Sequence, residues 1–82
     1  MDVLKEDVLR MVRIQLGKAR VSDTDRLMED LAAESTDFVN LVAAVEEKYH
    51  IRVPEAEVGE IRTVGDLHSV VHRLSQFVTP RP

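Results

Sequence analysis

Apolar residues return at helical intervals in three runs along the 82-residue chain, with polar connections between them. Leu4, Val8, Met11, Val12 and Leu16 share one stripe, so the spacing predicts a first helix over Asp2 to Leu16, with Asp2 as N-cap and Gly17 as stop. Phe38, Leu41, Val42, Val45 and Tyr49 make the second stripe, in a helix predicted to be capped by Ser35 and to run to Lys48 or Tyr49. At about 100° per residue, Thr36, Asn40, Ala43 and Glu47 fall on its opposite face, with Val39 and Glu46 on the flank near Ser35. Val64, Leu67, Val70, Val71, Leu74 and Phe77 form the third stripe. Thr63 stands before it as N-cap with Asp66 three residues on, a variant of the capping box, and the helix is predicted to end before Pro80.

The connections are as informative as the helices. Residues 17 to 34 contain Gly17, Ser22, Asp23, Thr24 and Asp25 but also Leu27 and Leu31, which predicts a long ordered loop pinned to the core by the two leucines. His50 to Val53 must leave the helix ahead of Pro54, because the residue before a proline is biased away from the right-handed helical region. A short helix from Glu55 to Glu60, ending near Ile61 and weakened by Gly59, follows. There is no alternating strand pattern and no repeat. The expected fold is all-α: a small four-helix bundle of three longer helices and one short helix, with a long loop between the first two, forming one domain over residues 1–78 and a frayed tail over 79–82.

Composition narrows the class. With 44% hydrophobic residues, a chain this short supports a single modest core. It has no cysteine, so it cannot rest on disulfides or a thiolate zinc site, and any thioester it carries must use an imported sulfur. The opening MDVLKEDVLRM has acidic residues and no uninterrupted apolar run, which predicts neither a secretion signal nor a membrane span and makes the cytoplasm the expected location. The formal net charge is -4, but residues 29 to 60 hold nine acids against two bases, leaving +3 on the remainder. Such a concentrated acidic middle repels nucleic acid and anionic lipid and steers the protein toward basic patches.

Little of this points to enzyme chemistry. His68 and His72 have i,i+4 spacing, but there is no HExxH glutamate or third ligand, and both project away from the apolar stripe, so they read as surface histidines and no metal site is expected. His50 at a helix end suits the helix dipole. Ser35 lacks a G-x-S-x-G elbow, which argues against a serine hydrolase. By itself Ser35 reads first as an ordinary N-cap, contributing about 0.5–2 kcal/mol, although an accessible hydroxyl at a helix start is also a place where the dipole favours a phosphodiester.

The segment LMEDLAAESTDFVNLVAAVEEKYHIRVPE, Leu27 to Glu55, decides between them. It resembles the acyl carrier protein family, in which a Leu-Gly-Ala-type turn leads to an acidic residue, a modified serine, a leucine and an acidic helix. The matching positions are Leu31, Ala32, Ala33, Glu34, Ser35 and Thr36, then Asp37, Val39, Leu41 and the Glu46-Glu47 pair, with the register continuing through Ile51, Val53, Pro54 and Thr63-Val64. The resemblance implies that a phosphopantetheinyl transferase moves 4'-phosphopantetheine from coenzyme A to Ser35, and that the arm's thiol then carries an acyl group. The protein would supply position and recognition, not catalysis.

The implied docking surface is Glu34, Thr36, Asp37, Val39, Asn40, Ala43, Glu46 and Glu47, with Glu55 and Glu57 next along the chain. It would meet the transferase and acyl-loading, acyl-transfer or synthase enzymes through their basic patches, the carrier itself being a monomer. Charge reversal at Glu46 and Glu47 is expected to weaken docking and leave stability nearly unchanged. Leu41, Val58, Ile61 and Leu67 are the candidate lining of a shelter for the acyl chain. Two positions depart from the family pattern: Glu34 replaces aspartate, and Thr36 replaces a leucine whose burial against a partner is worth about 1.5–3 kcal/mol. They predict a specialised carrier with restricted partners. The alternatives are an unmodified interaction module, a carrier of aminoacyl or peptidyl groups, and a small hydrolase or metal protein. Fatty acid, polyketide and other lipid pathways all remain open.

Overall fold

Among the described residues four helices follow in the order α1 (Lys5–Leu16), α2 (Ser35–Tyr49), α3 (Glu55–Val58) and α4 (Val64–Ser75). The computed structural model describes residues 2–76, so Phe77 and the expected tail over 79–82 lie outside the described residues. α1 packs against both α2 and α4. The core is the meeting of their apolar stripes, with Val8, Val12, Leu41, Val45, Val64, Leu67 and Val71 fully buried. Burying such side chains stabilises the fold by about 1.5–3 kcal/mol each before the entropy of ordering them is subtracted.

α1 begins at Lys5, three residues later than expected, and Leu4, not Asp2, is its N-cap, with no side-chain cap bond. The cause is Val3. It is 3% exposed in an extended lead segment, and its carbonyl oxygen accepts from His68 Nε2 at 2.8 Å, so residues 2–4 are committed to covering the bundle. Leu4, expected in the stripe, is correspondingly 60% exposed. His68 is accordingly not a free surface histidine but a half-buried tie from α4 to the amino-terminal segment. Gly17 ends α1 in the left-handed region, φ 65°, as its position predicts.

The loop over residues 17–34 is ordered along its second half. Leu27 is 1% and Leu31 6% exposed. An isolated antiparallel bridge joins Arg26 to Thr63. Leu27 N–H donates to Arg62 carbonyl oxygen at 2.9 Å, Val64 N–H to Asp25 at 3.0 Å, and Gly65 N–H to Asp23 at 2.8 Å. Gly65 suits that approach, because a Cβ there would lie 3.0 Å from the Asp23 carbonyl oxygen, closer than an ordinary van der Waals contact. Lys5 fastens the same loop to α1 through Asp23 at 3.0 Å. The loop thus reaches the start of α2 already anchored at both α1 and α4.

α3 is shorter than expected, closing at Val58 instead of Glu60, and it buries no residue of its own. Val53 before it and Ile61 after it are the buried anchors. α4 starts as predicted: Asp66 N–H donates to Thr63 Oγ1 at 3.0 Å, and Thr63 N–H to Asp66 Oδ2 at 3.1 Å. The bond from Thr63 N–H, with that from Arg62 N–H, holds the Asp66 carboxyl below the ordinary carboxylate value.

Candidate functional site

α2 presents Ser35 as its first helical residue. The N-cap is Glu34, not Ser35 as the spacing suggested, and Glu34 N–H donates to Asp37 Oδ2 at 3.0 Å. A cap function for the Asp37 carboxylate relieves Ser35 of one. The serine is exposed, and its hydroxyl makes no hydrogen bond among the described residues. Ahead of it, Ala32 adopts φ 56°, and Ala33 N–H donates back to Leu27 carbonyl oxygen at 2.9 Å with Ala33 buried. This tight left-handed step delivers the chain to α2 with the serine outward.

Around the hydroxyl, Ser35, Thr36, Val39 and Asn40 line a shallow depression of about 290 Å3. Val39 is 67% exposed, an apolar side chain left on the surface beside the serine. Glu34, Thr36, Asn40, Ala43, Glu47 and Glu55 are exposed as well. Three acids of the expected docking set are engaged within the protein. Asp37 caps α2; Glu46 Oε2 accepts from Val53 N–H at 2.8 Å; and Glu57 pairs with Arg73 of α4. Reversing the charge of Glu46 therefore removes a partly buried bond, and unchanged stability is to be expected of Glu47 alone.

A second, larger depression of about 340 Å3 lies between α2 and the α3 segment, lined by Phe38, Val39, Val42, Ala43, Glu46, Val53, Glu55 and Val58. Of the candidate lining residues, Val58 is on this groove. Leu41, Ile61 and Leu67 are packed in the core beneath it. Among the described residues no group of three or more histidines or acids is arranged to hold a metal ion, and the His68 and His72 rings lie 5.8 Å apart, tilted against each other.

A family model described as the phosphopantetheine attachment site matches residues 6–71. The acyl carrier protein of Wolinella succinogenes is 39% identical over 66 residues, spanning 80% of this chain and 84% of that protein. That of Rickettsia typhi is 38% identical over 68 residues, spanning 80% and 79%. The chain belongs to the acyl carrier protein family. It is a carrier of acyl groups and not an enzyme, and its cofactor is 4'-phosphopantetheine, held covalently. The solution structure of the oxytetracycline acyl carrier protein superposes with a TM-score of 0.73 at 18% identity, spanning 99% of this chain and 90% of that one. At that identity the likeness speaks for the fold, and it is the same helical bundle.

The residues present fit the cofactor. An exposed, unbonded serine hydroxyl on the first turn of a 15-residue helix offers an attachment point where unpaired first-turn amides favour a phosphate. The apolar flank of Val39 offers a surface for the arm to lie on. The acidic cap at Glu34 was missed by sequence reasoning, although Glu34 and Asp37 stand at capping-box spacing. The Glu46–Val53 bond had no such signal, since it depends on how the chain returns after Tyr49.

Proposed function

We propose that Ser35 is the residue that carries the arm, and that this protein is a specialised acyl carrier with a restricted set of partner enzymes. The observation that carries the first part is the exposed, unbonded hydroxyl at the first turn of α2, inside the segment matched by the family model. The cofactor's thiol supplies the thioester, which a chain without cysteine cannot provide. Ser35 Oγ holds the phosphodiester; Glu34, Thr36, Val39, Asn40, Ala43 and Glu47 form the rim read by the transferase and by acyl-loading, acyl-transfer or synthase enzymes. Exposed acids on that rim set on-rate and selectivity against basic patches. The carrier works as a cytoplasmic monomer, and its partners determine whether the cargo is a fatty acid, a polyketide or another acyl group.

The α2–α3 groove is the shelter for the acyl chain. Phe38, Val42, Val53 and Val58 give it apolar walls, whereas Leu41, Ile61 and Leu67 support those walls from below. Acylation of the arm with an eight-carbon chain should shift the amide resonances of Val42, Val53 and Val58; changes confined to Ser35 and its neighbours would overturn the shelter.

Specialisation rests on Thr36, whose exposed side chain offers a partner less apolar area than leucine. Loading of a fluorescent coenzyme A analogue by a broad-specificity transferase tests both parts. Ser35→Ala should take up no label. Thr36→Leu should raise kcat/KM with a housekeeping transferase roughly tenfold, as about 1.4 kcal/mol of recovered apolar contact requires. Equal rates for the two would refute restricted recognition.

A further inference from the structure

We propose that the second half of α1 and the turn after it form a further docking surface, opposite in sign to the α2 face, which seats an acidic protein surface with an apolar socket for Ile14. The inference stands on the charge and exposure of this face and is independent of the arm at Ser35. Residues 10–20 hold Arg10, Arg13, Lys18 and Arg20 and no acid. Arg10, Lys18 and Arg20 are exposed, and Arg13 is half-buried. At about 100° per residue, Arg10 and Ile14 each lie about 160° from the buried Val12. They mark the side of α1 turned away from α2 and α4, against which its inner stripe packs.

The turn keeps these bases together. Gly17 reverses the chain in the left-handed region, and Lys18 N–H donates to Arg13 carbonyl oxygen at 3.0 Å, which holds Lys18 against the last turn of α1. Further on, Asp23 is paired with Lys5 at the other end of the helix. The stretch between is thus drawn back along α1, and Arg20 with it. Local stability does not account for the charge. Lys5, Arg26 and Arg73 each have an acid as ion-pair partner, whereas none of the four bases of residues 10–20 has one among the described residues. Arg10 stays unpaired even though Glu6 stands at i,i+4 spacing from it.

The helix dipole favours a base in the last turn. That explains Arg13 but not Arg10 or Arg20, nor an isoleucine 69% exposed among them. Ile14 has Arg10 one turn before it and Arg13 beside it, so an apolar anchor is flanked by two guanidinium groups. Arginine is enriched at protein interfaces, and its planar fork takes a carboxylate through two hydrogen bonds at once. Charge complementarity therefore calls for acids on the partner. A basic patch repels the basic surfaces that the acidic α2 face attracts, so the two faces sort partners by sign, and an acidic one seated on α1 leaves α2 open. An anionic bilayer fits less well: so broad a plane also meets a molecule of net charge -4, and one isoleucine gives little apolar surface for insertion.

Titrating the isotope-labelled protein with a peptide of glutamates interspersed with leucine tests this. The peptide should shift the amides of Arg10, Ile14 and Lys18, and raising salt from about 0.05 to about 0.5 M should weaken it roughly fivefold or more. The double variant Arg10→Gln, Arg13→Gln should bind about tenfold more weakly, and Lys18→Gln, Arg20→Gln, outside the helix, about threefold. Ile14→Ser should weaken the leucine-bearing peptide about fivefold and leave an all-glutamate peptide unchanged. Arm loading by a transferase should be the same in the arginine variant as in the wild type. Absence of shifts on α1, or equal binding by wild type and both double variants, would overturn the surface; equal binding by Ile14→Ser would overturn the anchor. Phosphatidylglycerol vesicles bound by the wild type and not by the arginine variant would give the patch to lipid instead. Shifts at Ile14 on concentrating the protein alone would give it to a second copy. Slower arm loading of the arginine variant would make the patch part of the transferase contact and overturn its independence.

Discussion

Ala32 holds a left-handed backbone, φ 56°, one turn before the proposed attachment serine. For a residue with a Cβ this region costs about 1–2 kcal/mol, and Ala32 is exposed, so its methyl returns little by burial. Ala32→Gly should raise stability by about 0.5–1 kcal/mol after the extra freedom of glycine in the unfolded chain is subtracted. A higher denaturation midpoint at unchanged slope is the expected result. Tyr49 is a second local imperfection: its ring is buried, its hydroxyl has no hydrogen-bond partner among the described residues, and burial together with Asp7 pushes its pKa up. Tyr49→Phe should therefore be neutral or stabilising by up to about 1 kcal/mol, measured by the same titration. At this scale the sequence was partly legible. The Leu-Gly-Ala register marks a turn at Ala32, but nothing in it says that alanine keeps the glycine geometry, and the role of His68 is settled by contact with a residue 65 positions away.

The helices differ in how they are started, and the differences decide where their boundaries could be foreseen. Thr63 and Asp66 form a local cap whose two partners are three residues apart, so α4 was predictable from spacing alone. Thr63→Ala should cost about 0.5–2 kcal/mol, read as a lowered thermal midpoint. The Asp66 carboxyl also links stability to pH. Its folded pKa lies below the ordinary value, so below that value the unfolded chain binds the proton more readily, and the stabilisation present at neutral pH is lost as pH falls through the folded pKa. Asp66→Asn should lower stability at pH 7 and flatten its loss on acidification; a parallel acid limb in both proteins would contradict this role. The starts of α1 and α2 were less legible for a physical reason. Val3 is buried by tertiary packing that delays α1 to Lys5, and Glu34 takes the cap position that a serine commonly fills. Interior stripes follow a 3.6-residue period, whereas ends answer to whichever neighbour satisfies the last free amides.

Over the whole molecule, charge and apolar surface are divided between two sides of α2. Its inner stripe joins the core, while its outer face and the following segment carry most of the acid surplus of residues 29–60. Steering by such a face is screened as the Debye length falls from about 10 Å at 0.1 M salt to about 3 Å at 1 M. Transferase association should slow across that range with the turnover step little changed, as stopped-flow binding would report. This division, the ordered loop and the position of Ser35 were legible because they follow from periodicity and register. The groove was not: Leu41, Ile61 and Leu67 are apolar, yet close packing consumes them, and the space opens beside Phe38, Val42 and Val53 instead. The carrier reading requires one phosphopantetheine arm, attached at Ser35. Intact mass spectrometry of the wild type and Ser35→Ala, before and after treatment with coenzyme A and a broad-specificity phosphopantetheinyl transferase, tests it most directly. One added phosphopantetheine on the wild type and none on the variant is the predicted result; an unmodified wild type, or an arm on Ser35→Ala, would contradict it.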